Sequence, residues 1–276
     1  MKATIILTSL LLLAGMTGTA PAVVYNAGAD FSTATNPNGV WTYGVQEAAG
    51  NFVQDDSTIA VPATTTWSGP VSGGTATVSA HYASTYGSYS EQGSAPGLNI
   101  VGGNTTGYDL YVDDVDSYNT TYPNRTLLRP GALILRTGNG PAYVPNSGDL
   151  RFTAPRNGEY TVNAQMFCAF VPRSDYHNQS EVCTVKVGGV TDQSQGITGY
   201  YYDNPYDTVT RTTFTYSKTL SLTAGTNVDF LVTAGPPVAQ AVGAFITITP
   251  TPEPGTLVLL VTGLLGLLAY AWRKRK

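Results

Sequence analysis

The chain has 276 residues, of which only 12% are charged, with 30 Gly, 18 Tyr and a formal net charge of −4. From Val23 to Pro250, nine basic residues stand against seventeen acidic ones, and no Lys or Arg occurs between Val23 and Asn124. Nucleic-acid binding is excluded on that ground, because phosphate contacts need clustered Lys and Arg.

The first segment is Met1-Lys2, an apolar run from Ile5 to Ala14, and Ala20-Pro21-Ala22. This order predicts a secretory signal peptide over residues 1–22, with the mature chain starting near Val23. Residues 23–250 then form the body. Short runs rich in β-branched and aromatic residues recur through it, bounded by Gly, Pro or Asn: TATVSAHYA (75–83), YDLYVDD (108–114), GALILRT (131–137), DLRFTA (149–154), TFTYSKTLSL (213–222), VDFLVTA (228–234) and AFITITP (244–250). No stretch of ten or more residues has helical periodicity. The expected fold is all-β, an antiparallel β-sandwich of the jelly-roll kind. Residues 50–107 are rich in Gly, Ser and Thr, and fit long loops or weak strands equally well.

Cys168 and Cys183 are the only cysteines and flank an expected hairpin, GEYTVNAQMFCAF and EVCTVKVGG. Alternation puts both on the apolar face, opposite each other in a register centred on Asp175–Tyr176. A cross-strand disulfide and two buried free thiols are the alternatives. Glu159 and Glu181 read as solvent-face residues beside turns, and His81 and His177 as polar loop residues. Without a G-x-S-x-G elbow, a zinc-ligand spacing or a selected carboxylate pair, the residues point to no catalytic group.

Two clusters remain as candidate ligand sites. Asp109, Asp113, Asp114 and Asp116 supply oxygens of the kind Ca²⁺ takes, although the spacing is not that of a calcium loop, and a solvated strand end explains them as well. GYYYDNPYD brings Tyr200, Tyr201, Tyr202 and Tyr206 beside Asp203, Asn204 and Asp207. Sugar rings stack on such tyrosine faces while Asp and Asn bind hydroxyls; rings that anchor a loop are the alternative.

The last 26 residues differ from the body. Pro252, Glu253, Pro254 and Gly255 precede an uncharged run from Leu257 to Trp272, and Arg273, Lys274, Arg275 and Lys276 close the chain. As a helix the run is roughly 24 Å long, near the lower limit for crossing a bilayer core. The basic end reads as a stop-transfer cluster held in the cytoplasm, which leaves the body outside the membrane.

The order of these three parts resembles the PEP-CTERM sorting signal of bacteria. That resemblance implies a partner, an exosortase-type membrane transpeptidase that cleaves near Pro-Glu-Pro, and routing to the cell surface or extracellular polymer. A second resemblance covers the body: Asp30-Phe31-Ser32 through Asn36-Pro37-Asn38-Gly39-Val40-Trp41-Thr42-Tyr43-Gly44, with the later L-x-P-G and T-A-P-x-x-G-x-Y-x-V segments, is similar to a β-sandwich common in PEP-CTERM proteins. It implies that the early segment packs against the later sheet, in a body similar to the sandwiches of carbohydrate-binding modules. The combined expectation is a non-enzymatic exported protein in contact with extracellular polysaccharide, with no cofactor beyond Ca²⁺. The alternative is a surface carbohydrate-active hydrolase on a lectin-like sandwich.

Overall fold

A computed structural model describes residues 23–47, 50–64, 76–84, 100–113, 125–136, 147–171, 179–199, 212–234, 241–251 and 256–274. The expected signal peptide lies outside these residues. Two antiparallel sheets make up the body. One has six strands in the order β14 (Val190–Gly199), β13 (Gln179–Val187), β16 (Asn227–Ala234), β10 (Ser147–Thr153), β2 (Trp41–Gln46) and β3 (Phe52–Gln54).

The other sheet has eleven strands. It begins with β12 (Phe170–Val171), β8 (Arg125–Leu128), β7 (Leu110–Asp113), β4 (Ser57–Thr64) and β5 (Ala76–Tyr82). It continues through β6 (Ile100–Gly103), β9 (Leu133–Arg136), β17 (Ala241–Pro250), β11 (Gly158–Cys168) and β15 (Thr213–Leu222), and β1 (Tyr25–Asn26) pairs with β17.

The main core follows from period-two alternation. Along β11, Tyr160, Val162, Ala164 and Met166 are buried while Glu159, Asn163 and Gln165 are exposed. The buried row packs on Leu150 and Phe152 of β10, Trp41 and Tyr43 of β2, and Phe230 of β16. Trp41 meets Phe152 edge-on at 5.4 Å between ring centroids, and each such side chain contributes about 2–3 kcal/mol by leaving water.

A second core lies on the opposite face of the larger sheet. Ile134 of β9 and Phe167 of β11 point away from the main core and pack with Val78, Leu110 and Leu128. These partners belong to β5, β7 and β8 of the same sheet, so the eleven-stranded sheet folds over part of its own outer face.

The antiparallel β class agrees with the sequence reading, and β15 spans the same ten residues, 213–222. The sheet order differs from an eight-stranded jelly roll, because strands between Ser57 and Leu128 extend one sheet. Segment 50–107, where pattern marked only the run 75–83, supplies three of them, β4 to β6, and also β3 of the other sheet. The early segment does join the later sheet: β2 pairs with β10, setting Trp41 opposite Phe152. In the turn before β16, Gly225 has φ +83°, a conformation that a Cβ disfavours.

The expected Cys hairpin does not form. Cys168 ends β11 opposite Val242 of β17, while Cys183 lies on β13 between Gln195 and Val232. Alternation fixes the face a residue takes and leaves the partner strand open. Here the chain leaves β11 through β12, which pairs with β8, and crosses to the second sheet.

The C-terminal run folds as α1 (Thr256–Arg273), 18 residues. Among the described residues no helix is long and apolar enough to cross a membrane. At 1.5 Å per residue α1 covers about 27 Å, short of a hydrocarbon core of about 30 Å.

Candidate functional site

The junction between body and tail is abrupt. Pro250, the last residue of β17, is buried and sits opposite Tyr160 of β11. The Thr251 amide still donates to the Glu159 carbonyl at 2.7 Å. Pro252, Glu253, Pro254 and Gly255 lie outside the described residues, and α1 begins at Thr256. Only five residues, 251–255, therefore separate a strand held in the main core from the helix.

That helix exposes large apolar side chains on several sides. Leu264, Leu267, Leu268, Tyr270 and Trp272 are each more than half exposed. At 100° per residue they spread over about 200° of the circumference, whereas a helix docked on a body hides one stripe. Among the basic residues, Arg273 and Lys274 are described. The Lys274 amide donates to the Tyr270 carbonyl at 3.2 Å, and its ammonium lies 5.7 Å from the Tyr270 ring.

A profile of the PEP-CTERM protein-sorting motif matches residues 250–276. The chain carries a PEP-CTERM sorting signal. The PEP-CTERM motif marks an exported protein that is anchored at the membrane before cleavage. No curated protein matches the sequence. Among solved structures, a family 35 carbohydrate-binding module from an environmental isolate is 18% identical, covering 40% of this chain and 72% of its own, with a TM-score of 0.23. The native family 35 module from Clostridium thermocellum is 12% identical, covering 43% and 88%, with a TM-score of 0.23. Dimeric latent PorU from Porphyromonas gingivalis is 11% identical, covering 84% and 24%, with a TM-score of 0.28. At such TM-scores these likenesses give no basis for a fold or a ligand.

The remaining expected sites fare differently. The tyrosine-rich loop, residues 200–207, lies outside the described residues, as do Asp114, Asp116 and His177. Asp109 is half-buried ahead of β7, and Asp113 ends β7 opposite Arg125. Among the described residues no group of three or more His, Cys, Asp or Glu is placed to hold a metal.

Cys168 and Cys183 are both buried, and no disulfide joins them. They share the space between the sheets with Glu181, which is fully buried and not a solvent-face residue. Burial pushes its carboxyl from an ordinary 4.5 up to about 8, opposed by a hydrogen bond with Cys168. Burial, reinforced by Glu181, raises the Cys183 thiol. The signal was present in the sequence: Glu181 has the same parity as Cys183 and Val185, which alternation already placed inside.

Three further buried acids escaped sequence reasoning. Asp55 is 2% exposed and, among the described residues, neither carboxylate oxygen has a hydrogen-bond partner. Burial, and then the charge of Asp56, push it from 3.8 up to about 8. Asp149 on β10 is fully buried, neither oxygen has a hydrogen-bond partner among the described residues, and its pKa rises through burial and then the charge of Asp229. Asp229 is held by Arg151 through bonds of 2.6 and 3.1 Å. Asp149 and Asp229 stand on one sheet face, but both are closed off from solvent, so this pair offers no open carboxylate cleft for a polymer.

His81 is likewise a core residue and not a loop residue. It is 2% exposed, stacks on Tyr43 at 4.7 Å between ring centroids, and meets Phe31 edge-on at 5.8 Å. Its Nε2 lies 2.5 Å from the Ser32 carbonyl oxygen. Burial holds its pKa below the ordinary 6.5. This neutral ring pins the Asp30–Ser32 segment to the sheets, a structural role the sequence did not disclose.

Proposed function

We propose that this chain is a non-enzymatic exported protein whose tail is cut near Pro252–Gly255 by an exosortase-type membrane transpeptidase. Residues 1–22 act as the export signal. Before processing, α1 lies in the cytoplasmic membrane with Arg273 to Lys276 inside; afterwards the body works at the cell surface or in extracellular polymer, in contact with glycan. The observation that carries this reading is the sorting motif matched over residues 250–276, which takes in α1, a helix whose Leu264, Leu267, Leu268, Tyr270 and Trp272 are more than half exposed. Trp272 and Tyr270 suit the membrane interface, and flanking basic side chains reach headgroups beyond a helix slightly shorter than the core. Glycan contact rests on the body's composition, rich in Tyr, Ser, Thr and Asn and low in charge.

The test removes the exosortase-type transpeptidase from the host and fractionates the envelope. The protein is expected to accumulate in the membrane with its tail intact. Unchanged release of a shortened body from those cells would contradict the assignment of this partner.

A further inference from the structure

The outer face of β17, β11 and β15 is a regular polar grid. Asn163 at its centre lies between Thr247 of β17 and Ser217 of β15. One step along, Thr161 lies between Thr249 and Thr219, and one step the other way Gln165 lies between Phe245 and Thr215. Neighbouring rows are about 6.8 Å apart along the strands, and neighbouring strands about 4.8 Å apart.

Three features set this face apart. Among the described residues its rows hold no Lys or Arg, and the one carboxylate beside them is Glu159, at the corner. Lys218 is turned away to Asp192, at 2.7 Å. Secondly, its groups are already ordered: Ser217 donates to Asn163 Oδ1 at 2.7 Å, and the Thr161 and Thr219 hydroxyls are 3.3 Å apart. Ordered side chains lose little rotamer entropy on binding. Thirdly, one end carries a fixed aromatic. Phe245 is half-buried and stacks on Phe167 at 5.7 Å, and the Arg129 guanidinium sits 5.1 Å from the Phe167 ring. β15 is the edge strand of its sheet, and its one charged residue, Lys218, lies on the opposite face from the grid, so charge does not guard this side of the edge.

We infer that this grid is a docking face for a neutral polysaccharide lying across β17, β11 and β15. The inference rests on the glycan-contact reading and gives it a location apart from the tyrosine-rich loop. Arg129 lies at one end, against Phe167, but among the described residues the rows of Thr161, Asn163 and Gln165 carry no cation, so the face has little to neutralise an acidic polymer or an anionic membrane. With one carboxylate at its corner, it has little to hold a basic partner. Hydroxyl and amide groups that both donate and accept match a polyol. Threonine methyls and the Phe245 ring cover the C–H faces of sugar rings.

The test is affinity electrophoresis of the full chain in detergent, through gels containing galactomannan, mixed-linkage β-glucan or dextran, with alginate as the anionic comparison. The wild type is expected to be retarded by at least one neutral polymer, equally at low and high salt. Asn163→Arg and, independently, Thr215→Arg place on exposed positions a charge that must lose water on binding, lowering affinity about tenfold or more. Ser194→Arg on β14 is expected to bind as the wild type does, and circular dichroism checks that each variant folds. Equal retardation of both grid variants and wild type overturns the location while leaving glycan contact standing. Retardation by alginate alone, or by no gel, overturns both. A change in sedimentation of Asn163→Arg with no change in retardation marks a contact between copies of this chain, and also overturns the inference.

Discussion

Replacing Asp55 by Asn removes a carboxyl that the body buries without a hydrogen-bond partner among the described residues. In the unfolded chain this group loses its proton near 3.8; in the fold it keeps the proton up to about 8. Between those values the unfolded state binds fewer protons, so stability falls as pH rises. The penalty is absent below pH 4, grows by about 1.4 kcal/mol per pH unit, and levels off above pH 8 at an upper limit of about 6 kcal/mol. Asn is close in volume and never ionises, so Asp55→Asn lacks this slope. For a body of this size 1 kcal/mol moves Tm by about 2–4 °C, so the variant gains on the order of 10–20 °C over wild type at pH 8.5 and little at pH 4. Glu181, pushed to about 8 in the same way, keeps a second slope in both proteins. The assay is thermal unfolding by near-ultraviolet circular dichroism from pH 4 to pH 9. Parallel Tm curves for the two proteins, or a wild type that gains stability from pH 5 to pH 8, would refute the reasoning.

Two more predictions concern the core and the junction. Cys168 and Cys183 are expected to ignore a thiol reagent in the native protein and both to react in denaturant, counted by mass; a reagent-resistant pair in denaturant means a disulfide instead. A six-residue Gly/Ser insertion between Thr251 and Pro252 is expected to raise the processed fraction in the host while leaving the body's Tm unchanged, because it frees the motif from β17. A lower processed fraction would show that the short junction helps the cut.

Legibility followed the range of the signal. Strand β15 could be read from ten residues of alternation, and the tail from composition alone, because both are local. The partner strand of Cys168 was not legible, since parity gives a face and the crossover through β12 depends on distant pairing with β8. Glu181 was misjudged by letting residue type outweigh parity. Asp149 has the parity of Ser147 and Arg151, opposite Leu150 and Phe152, so alternation assigns it to solvent. Its burial is a tertiary fact, tied to neighbours such as Asp229 and Lys186 from other strands. The same holds for His81, whose partners Ser32 and Tyr43 come from a segment some forty residues earlier. The grid on β17, β11 and β15 was also hidden, because each strand shows only polar alternation and the charge-free surface emerges from their register.

The most direct measurement is the intact mass of the mature protein recovered from its own host, with Glu253→Ala alongside. The account predicts a wild-type chain that starts near Val23 and ends between Pro252 and Gly255, allowing for any group the transpeptidase adds there, and an uncut tail in the variant. A wild-type chain that still ends at Lys276 would contradict it, as would cleavage at the same bond in both proteins.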